Sequence, residues 1–198
     1  MTETLCPTLL DRRVLPLAEL LALVLDGQAY RVGDAFAPID TPDTPALRAS
    51  ALRAAVPRRA IAERATAAWV HGARSSPPVR PQVCLRPPDR GARIPVSVDS
   101  RQRRLTAHET TMVGPLAVTT PLRTAADLVL TAAEFSEPDA LEVRHLLAIE
   151  SAAPSALLAF VPRTRRGGAV RVIRRLALVE RSPLPVSVPD GAAGVSPR

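Results

Sequence analysis

Residues 116–130 read LAVTTPLRTAADLVL, a short apolar run that passes directly into a helical pattern. Leu116-Ala117-Val118-Thr119 suits a strand, because β-branched side chains pack well on a pleated surface. Thr120 is a hydroxyl N-cap, and Pro121 takes the first helical position, where an N–H would lack a partner anyway. Leu122, Ala125, Ala126, Leu128 and Val129 then follow helical periodicity. A strand that turns at once into a capped helix predicts a mixed chain, and we expect an α+β fold.

Working upstream, Val83-Cys84-Leu85 and Ile94-Pro95-Val96-Ser97-Val98 are short strand candidates separated by a Pro/Asp/Gly turn. Glu63 to Val70 predicts a helix ending at Gly72, with Ala65, Ala68 and Trp69 inward. Thr44-Pro45 repeats the N-cap and first-turn proline, and opens a helix to about Val56. Asp40-Thr41-Pro42-Asp43 reads as a linker. Before it, Ala29–Val32 and Ala35–Ile39 flank Gly33-Asp34, a hairpin signal. Leu17, Leu20, Leu21, Val24 and Leu25 mark an amphipathic helix over residues 16–27. Helix followed by tight hairpin is how a winged helix-turn-helix ends.

Downstream, a helix is expected over 138–150. Gly167-Gly168 reads as a break, followed by a last helix with Val172, Leu176 and Val179 on one face. The expected organisation is a winged-helix-like N-terminal unit over 1–43 and a mixed α/β domain over 44–160. A basic C-terminal helix over 161–181 and a disordered tail over 182–198 complete it.

With 198 residues, 46% of them apolar and 23% charged, the chain is globular rather than disordered in composition. No window approaches 18 consecutive apolar residues and no signal peptide is visible, so a cytoplasmic protein without a membrane helix is expected. Cys6 and Cys84 make neither a disulfide framework nor a zinc site. All 26 basic residues are arginine, which dilutes the meaning of any single one. The net charge of +7 is unevenly spread. Residues 1–44 carry −4, 58–104 carry +8, 105–160 carry −5 and 161–181 carry +6. An electrostatic footprint for nucleic acid therefore falls in the middle and near the C-terminus.

Two segments, AIAERATAAWVHG (60–72) and AVTTPLRTAADLVL (117–130), resemble the AbiEi-type antitoxins of type IV toxin–antitoxin systems, in their actinobacterial branch. The first matches the family pattern at Ala67, Ala68, Trp69, His71 and Gly72. The second matches at Val118, Thr119, Pro121, Arg123, Thr124, Asp127 and Leu128. The opening LPLAELLALVLDGQAYRVGDAFAPID is similar to that branch's helix-plus-wing start, and the likeness spans residues 10–181. The resemblance implies a winged helix followed by an α/β antitoxin domain, binding to its own operon promoter, and a nucleotidyltransferase-like toxin as genetic partner. Longer relatives continue into a very-short-patch-repair-like nuclease. Residues 166–183 resemble the lead-in to that domain, and the positions such a nuclease needs are expected to be lacking here.

The candidate DNA contacts are Arg163, Arg165, Arg166, Arg171, Arg174 and Arg175, with Arg31 on the hairpin and a second patch at Arg101, Arg103 and Arg104. A solvated helix in an arginine-biased chain is the competing reading. The N-terminal helix carries Glu19 and Asp26 but no arginine, which argues against a reading role in the major groove and leaves folding or dimerisation as alternatives. The motif residues Ala68, Trp69, His71, Gly72, Thr120, Pro121, Arg123, Thr124 and Asp127 read as structural. Arg123 and Asp127 form an i, i+4 pair, and His71 ends a helix. Glu134, Glu137, Asp139 and Glu142 read as a solvated acidic face. No phosphate loop, nucleophile elbow, metal-ligand spacing or catalytic pair is found. The expectation is a non-enzymatic regulator without cofactor or metal, with a homo-oligomer possible. The alternative is a protein-interaction module without DNA binding.

Overall fold

The computed structural model describes residues 8–87, 94–161 and 166–183. Local chemistry sets its helix starts. Thr120 Oγ1 accepts the Arg123 N–H at 3.3 Å and opens α4 (Pro121–Thr131). Thr44 Oγ1 accepts the Leu47 N–H at 3.2 Å and opens α2 (Pro45–Arg53). Ser136 and Asp139 form a reciprocal capping box that starts α5 (Glu137–Ile149). The expected N-terminal helix is α1 (Leu17–Leu25), and Glu63 precedes α3 (Arg64–Val70). The last helix, α6, runs Arg166–Arg181, so Gly167-Gly168 lies inside its first turn instead of breaking the chain before it.

The hairpin forms as the Gly33-Asp34 signal implies. β1 (Ala29–Val32) pairs antiparallel with β2 (Ala35–Pro38), with Val32 opposite Ala35. Gly33 has φ +63°, and a Cβ there would stand 3.4 Å from the Trp69 ring, so the turn needs glycine for both its dihedral and its contact.

The second sheet has five strands in the order β5-β4-β3-β7-β6. They are β3 (Ile61–Ala62), β4 (Gln82–Leu85), β5 (Asp99–Gln102), β6 (Thr110–Val113) and β7 (Leu116–Thr119). β3 is antiparallel to β4 and parallel to β7, β4 is parallel to β5, and β6 is antiparallel to β7. The α+β class holds. The strand expected over 94–98 does not form; the paired strand begins at Asp99, and the Pro95 carbonyl receives the Val98 N–H in a turn. A proline inside the candidate removes a ladder donor, which favours the turn.

The core has two clusters. One gathers Val32 and Ala37 of the hairpin, Leu47 and Leu52 of α2, Trp69 of α3, and Val83 and Val118 of the sheet. The other gathers Ala125 and Val129 of α4, Val143, Leu146 and Leu147 of α5, and Val172, Leu176 and Val179 of α6. The hairpin thus shares its core with the sheet, so residue 43 separates no two cores, and α6 is an integral wall of the second cluster. Of the expected tail, residues 184–198 lie outside the described ones. No described helix is long and apolar enough to cross a membrane.

The register of α5 is tested by two truncations on one helix. Leu146 is fully buried and Ile149 is 53% exposed. Leu146→Ala is expected to cost about 2–5 kcal/mol in urea unfolding, while Ile149→Ala stays within about 0.5 kcal/mol.

Candidate functional site

The two motif segments fold as equivalent units side by side. β3 leads into α3 and β7 into α4, with Ile61 opposite Ala117 and Ala62 opposite Val118 in parallel register. Their turns therefore meet at the same end of these two interior strands, and an ionic chain is buried there. Glu63 is fully buried and accepts Arg64 Nε at 3.0 Å and Arg103 NH1 at 2.9 Å. Arg103 also grips Asp127 with both terminal nitrogens, at 2.7 and 2.8 Å. Asp127, equally buried, accepts Arg123 Nε at 3.1 Å and NH2 at 2.9 Å. Arg123 reaches on to Glu109, and Arg64 reaches back to Asp99 at 3.0 Å.

The pair expected between Arg123 and Asp127 exists, but it is the middle of this chain. Arg103, expected in a surface patch, is instead the bridge between the two motifs. Burial alone would lower its pKa; the bonds and charge of Asp127 and Glu63 outweigh that and raise it. Arg64 opens α3 with φ +49°, a costly conformation for a side chain with a Cβ, held here by the two carboxylates on its guanidinium. Sequence spacing offered no signal for Glu63 or Arg103, which lie 64 and 24 residues from Asp127.

Chemically the chain is saturated. Four carboxylates face three guanidiniums, so no positive charge is left over for an anion. Nearby Cys84 is buried; burial first and the Glu63 charge second push its thiol up to about 12, so it stays protonated. Among the described residues no group of three His, Cys, Asp or Glu side chains is placed to hold a metal.

The remaining motif residues lock the same end of the strands. Thr124 Oγ1 bonds Thr119 Oγ1 at 2.7 Å and the Thr119 carbonyl at 3.1 Å. His71, the residue that ends α3, places Nε2 2.7 Å from that carbonyl. Burial lowers the His71 pKa, with the Thr119 bond opposing, so the ring is neutral and Nε2 donates. Trp69 lies under the Arg48 guanidinium, 5.7 Å from the ring centroid. Arg48 in turn bonds the Trp69 carbonyl at 2.7 Å and Asp43 at 2.6 and 2.8 Å. Ala68 is fully buried, and Gly72 follows the helix end at φ +86°.

Of the candidate DNA contacts, Arg163, Arg165 and the Arg166 side chain lie outside the described residues. Arg175 is corrected. It is only 7% exposed, and it donates to the carbonyls of Val129 at 2.6 Å and Ala132 at 2.8 Å while stacking on Phe135. It docks α6 on the C-terminal end of α4, where the helix dipole favours a cation. Arg171 and Arg174 are exposed and pair with no described acid. Arg181, two turns past Arg174, is exposed on the same side. Arg101 and Arg104 are exposed at the open edge strand, β5. Arg31 stands apart from α6, over Phe36, beside a cavity of ≈ 380 Å³ that also carries Asp34 and Asp43. Of the expected acidic face, Glu134 and Glu137 are exposed, but Glu142 is corrected: it is buried and takes both Nε and NH2 of Arg74, at 3.1 and 2.9 Å.

No family model matches this sequence, and no curated protein matches it. Among solved structures it is similar to the RV2827C protein from Mycobacterium tuberculosis, with a TM-score of 0.44 and 15% identity. That likeness covers 91% of this chain and 78% of the other.

Removing the Asp127 carboxylate leaves Arg103 with only Glu63 and Arg123 with only Glu109, and takes away four buried charged bonds. Asp127→Ala is therefore expected to cost about 3–5 kcal/mol in urea unfolding, if the chain folds at all. His71 predicts a pH effect of definite sign. Its folded pKa lies below the unfolded value of about 6.5, so the folded state binds fewer protons and its stability falls as pH drops through that value. His71→Gln keeps a donor near the Thr119 carbonyl without titrating. Between pH 7.5 and 5.5, the wild type should lose more unfolding free energy than this variant.

Proposed function

We propose that this protein is a non-enzymatic, DNA-binding regulator of the antitoxin type, acting without cofactor in the cytoplasm. Its DNA target is the promoter of its own operon, and its genetic partner is a nucleotidyltransferase-like toxin. The antitoxin part of the reading rests on the resemblance of residues 60–72 and 117–130 to the AbiEi-type antitoxins.

The observation that carries DNA binding is the basic face of α6. Arg171, Arg174 and Arg181 lie within one side of the helix, extending about 15 Å along its axis at 1.5 Å per residue. Val172, Leu176 and Val179 bury the opposite face against α4 and α5, and the exposed Glu180 stands beside that face. Arg175, one turn from Arg171 beside the same face, anchors the helix through three carbonyls. A basic face on a firmly docked helix presents charge to phosphates with little ordering left to do on binding. Interior pairing removes Arg103 and Arg123 from such a role, while Arg101 on β5 and Arg104 just past it remain available.

The test is fluorescence anisotropy of the full chain with promoter DNA and with a scrambled duplex, across a salt series. Promoter DNA should bind more tightly. Arg171→Ala and Arg174→Ala should each lower the log–log salt slope by about 0.9. Arg31→Ala should change it less, because Asp34 and Asp43 lie beside that side chain. Equal affinity for both duplexes would remove the sequence-specific claim. Absence of binding to either would favour a protein-interaction module. Failure to protect cells from a co-expressed neighbouring toxin would remove the antitoxin role separately.

A further inference from the structure

Helix α1 buries only one of the residues that make it amphipathic. Leu20 is fully buried, but Leu17 is 38%, Leu21 41% and Leu25 87% exposed. At i, i+4 and i+8 these three leucines form one stripe, and the exposed Ala18 and Ala22 lie beside it. A contiguous apolar strip on a helix marks a contact surface, unlike a single exposed leucine. The placement is also informative. In a winged helix, the helix just ahead of the hairpin would be the one that reads DNA, bringing polar and basic side chains to base edges. Here it brings leucines, with Glu19 and Asp26 as its charges.

Charge at the two ends of the stripe identifies the occupant. Arg12 and Arg13 stand exposed before α1, and Asp26 stands exposed after it; none of the three side chains pairs with a described residue. A stripe that is basic at one end and acidic at the other is complementary to itself when inverted. We infer that α1 packs antiparallel against α1 of a second copy of this chain. Leu21 lies nearest the two-fold axis, Leu17 meets Leu25 of the other copy, and Arg12 and Arg13 face the other copy's Asp26. The opposed helix dipoles favour the same orientation. Small Ala18 and Ala22 let the two backbones approach closely. A single pair of nine-residue helices buries well under the roughly 1,200 Å² of a standard interface, so the dimer is weak and concentration-dependent. This inference does not rest on DNA binding.

Sedimentation equilibrium of the full chain over micromolar to sub-millimolar concentrations measures the association. The wild type should show a monomer–dimer equilibrium, and Leu21→Glu should weaken it at least tenfold with an unchanged circular dichroism spectrum. Asp26→Arg alone, or Arg12→Glu with Arg13→Glu, should weaken it, while all three together should restore it. Register is tested in a Cys6→Ser background: Leu21→Cys should oxidise to a disulfide-linked homodimer, and Leu17→Cys should cross-link to Leu25→Cys in a mixture more than to itself. A wild type that stays monomeric throughout, or a dimer indifferent to these substitutions, would overturn the assignment.

Discussion

The Asp127 carboxylate is the point on which this end of the sheet depends. It lies one and a half turns into α4, fully buried, and a buried carboxylate is tolerable only when its oxygens are filled by charged donors. Arg123 from its own helix and Arg103 from the strand region beyond β5 fill them. Because Arg103 also holds Glu63, the same bonds tie the turn after β3 to the helix after β7. The two motif segments are thus two faces of one clamp. His71 and Thr124, both on the Thr119 carbonyl, close it a second time.

This clamp changes how the charge of the chain is understood. A net +7 carried on arginine suggests a surface ready for phosphate. Yet Arg48, Arg64, Arg74, Arg103 and Arg123 each meet a carboxylate at hydrogen-bond distance, and Arg175 meets three carbonyls. The guanidinium suits this internal work, since its planar fork satisfies two acceptors at once and it remains charged when desolvated. The exposed basic charge of the structure includes Arg171, Arg174 and Arg181 of α6, Arg101 at the open edge strand β5, and Arg12 and Arg13 ahead of α1. The acidic N-terminal helix meanwhile offers leucine rather than charge.

The departures from expectation share a cause. Glu142 and Arg175 both sit in helical sequences where a solvated face was the natural reading, and both are buried. Arg74, 68 residues from Glu142, and the end of α4, more than 40 residues from Arg175, supply their partners. Nothing within a turn or two of either residue announces them. The turn at 94–98 and the continuous start of α6 are smaller cases. In the first a proline removes a ladder bond, and in the second the packed face of Val172, Leu176 and Val179 carries the helix back through two glycines that would weaken it alone.

What the sequence determined by itself was local: the α+β class, the hairpin at Gly33-Asp34, the N-caps at Thr44 and Thr120, the helices they open, and the strand at Leu116–Thr119. Those features arise from hydrogen bonds and dihedral preferences spanning about four residues, and such preferences are written in adjacent letters. The tertiary structure alone decided which charges are interior. It paired β3 with β7, brought Glu63, Arg103 and Asp127 to one point, docked Arg175 on the end of α4, and left the leucines of α1 uncovered. Each of these depends on elements far apart in sequence being brought within 3 Å. An arginine or a leucine has the same local propensity whether a distant partner arrives or not.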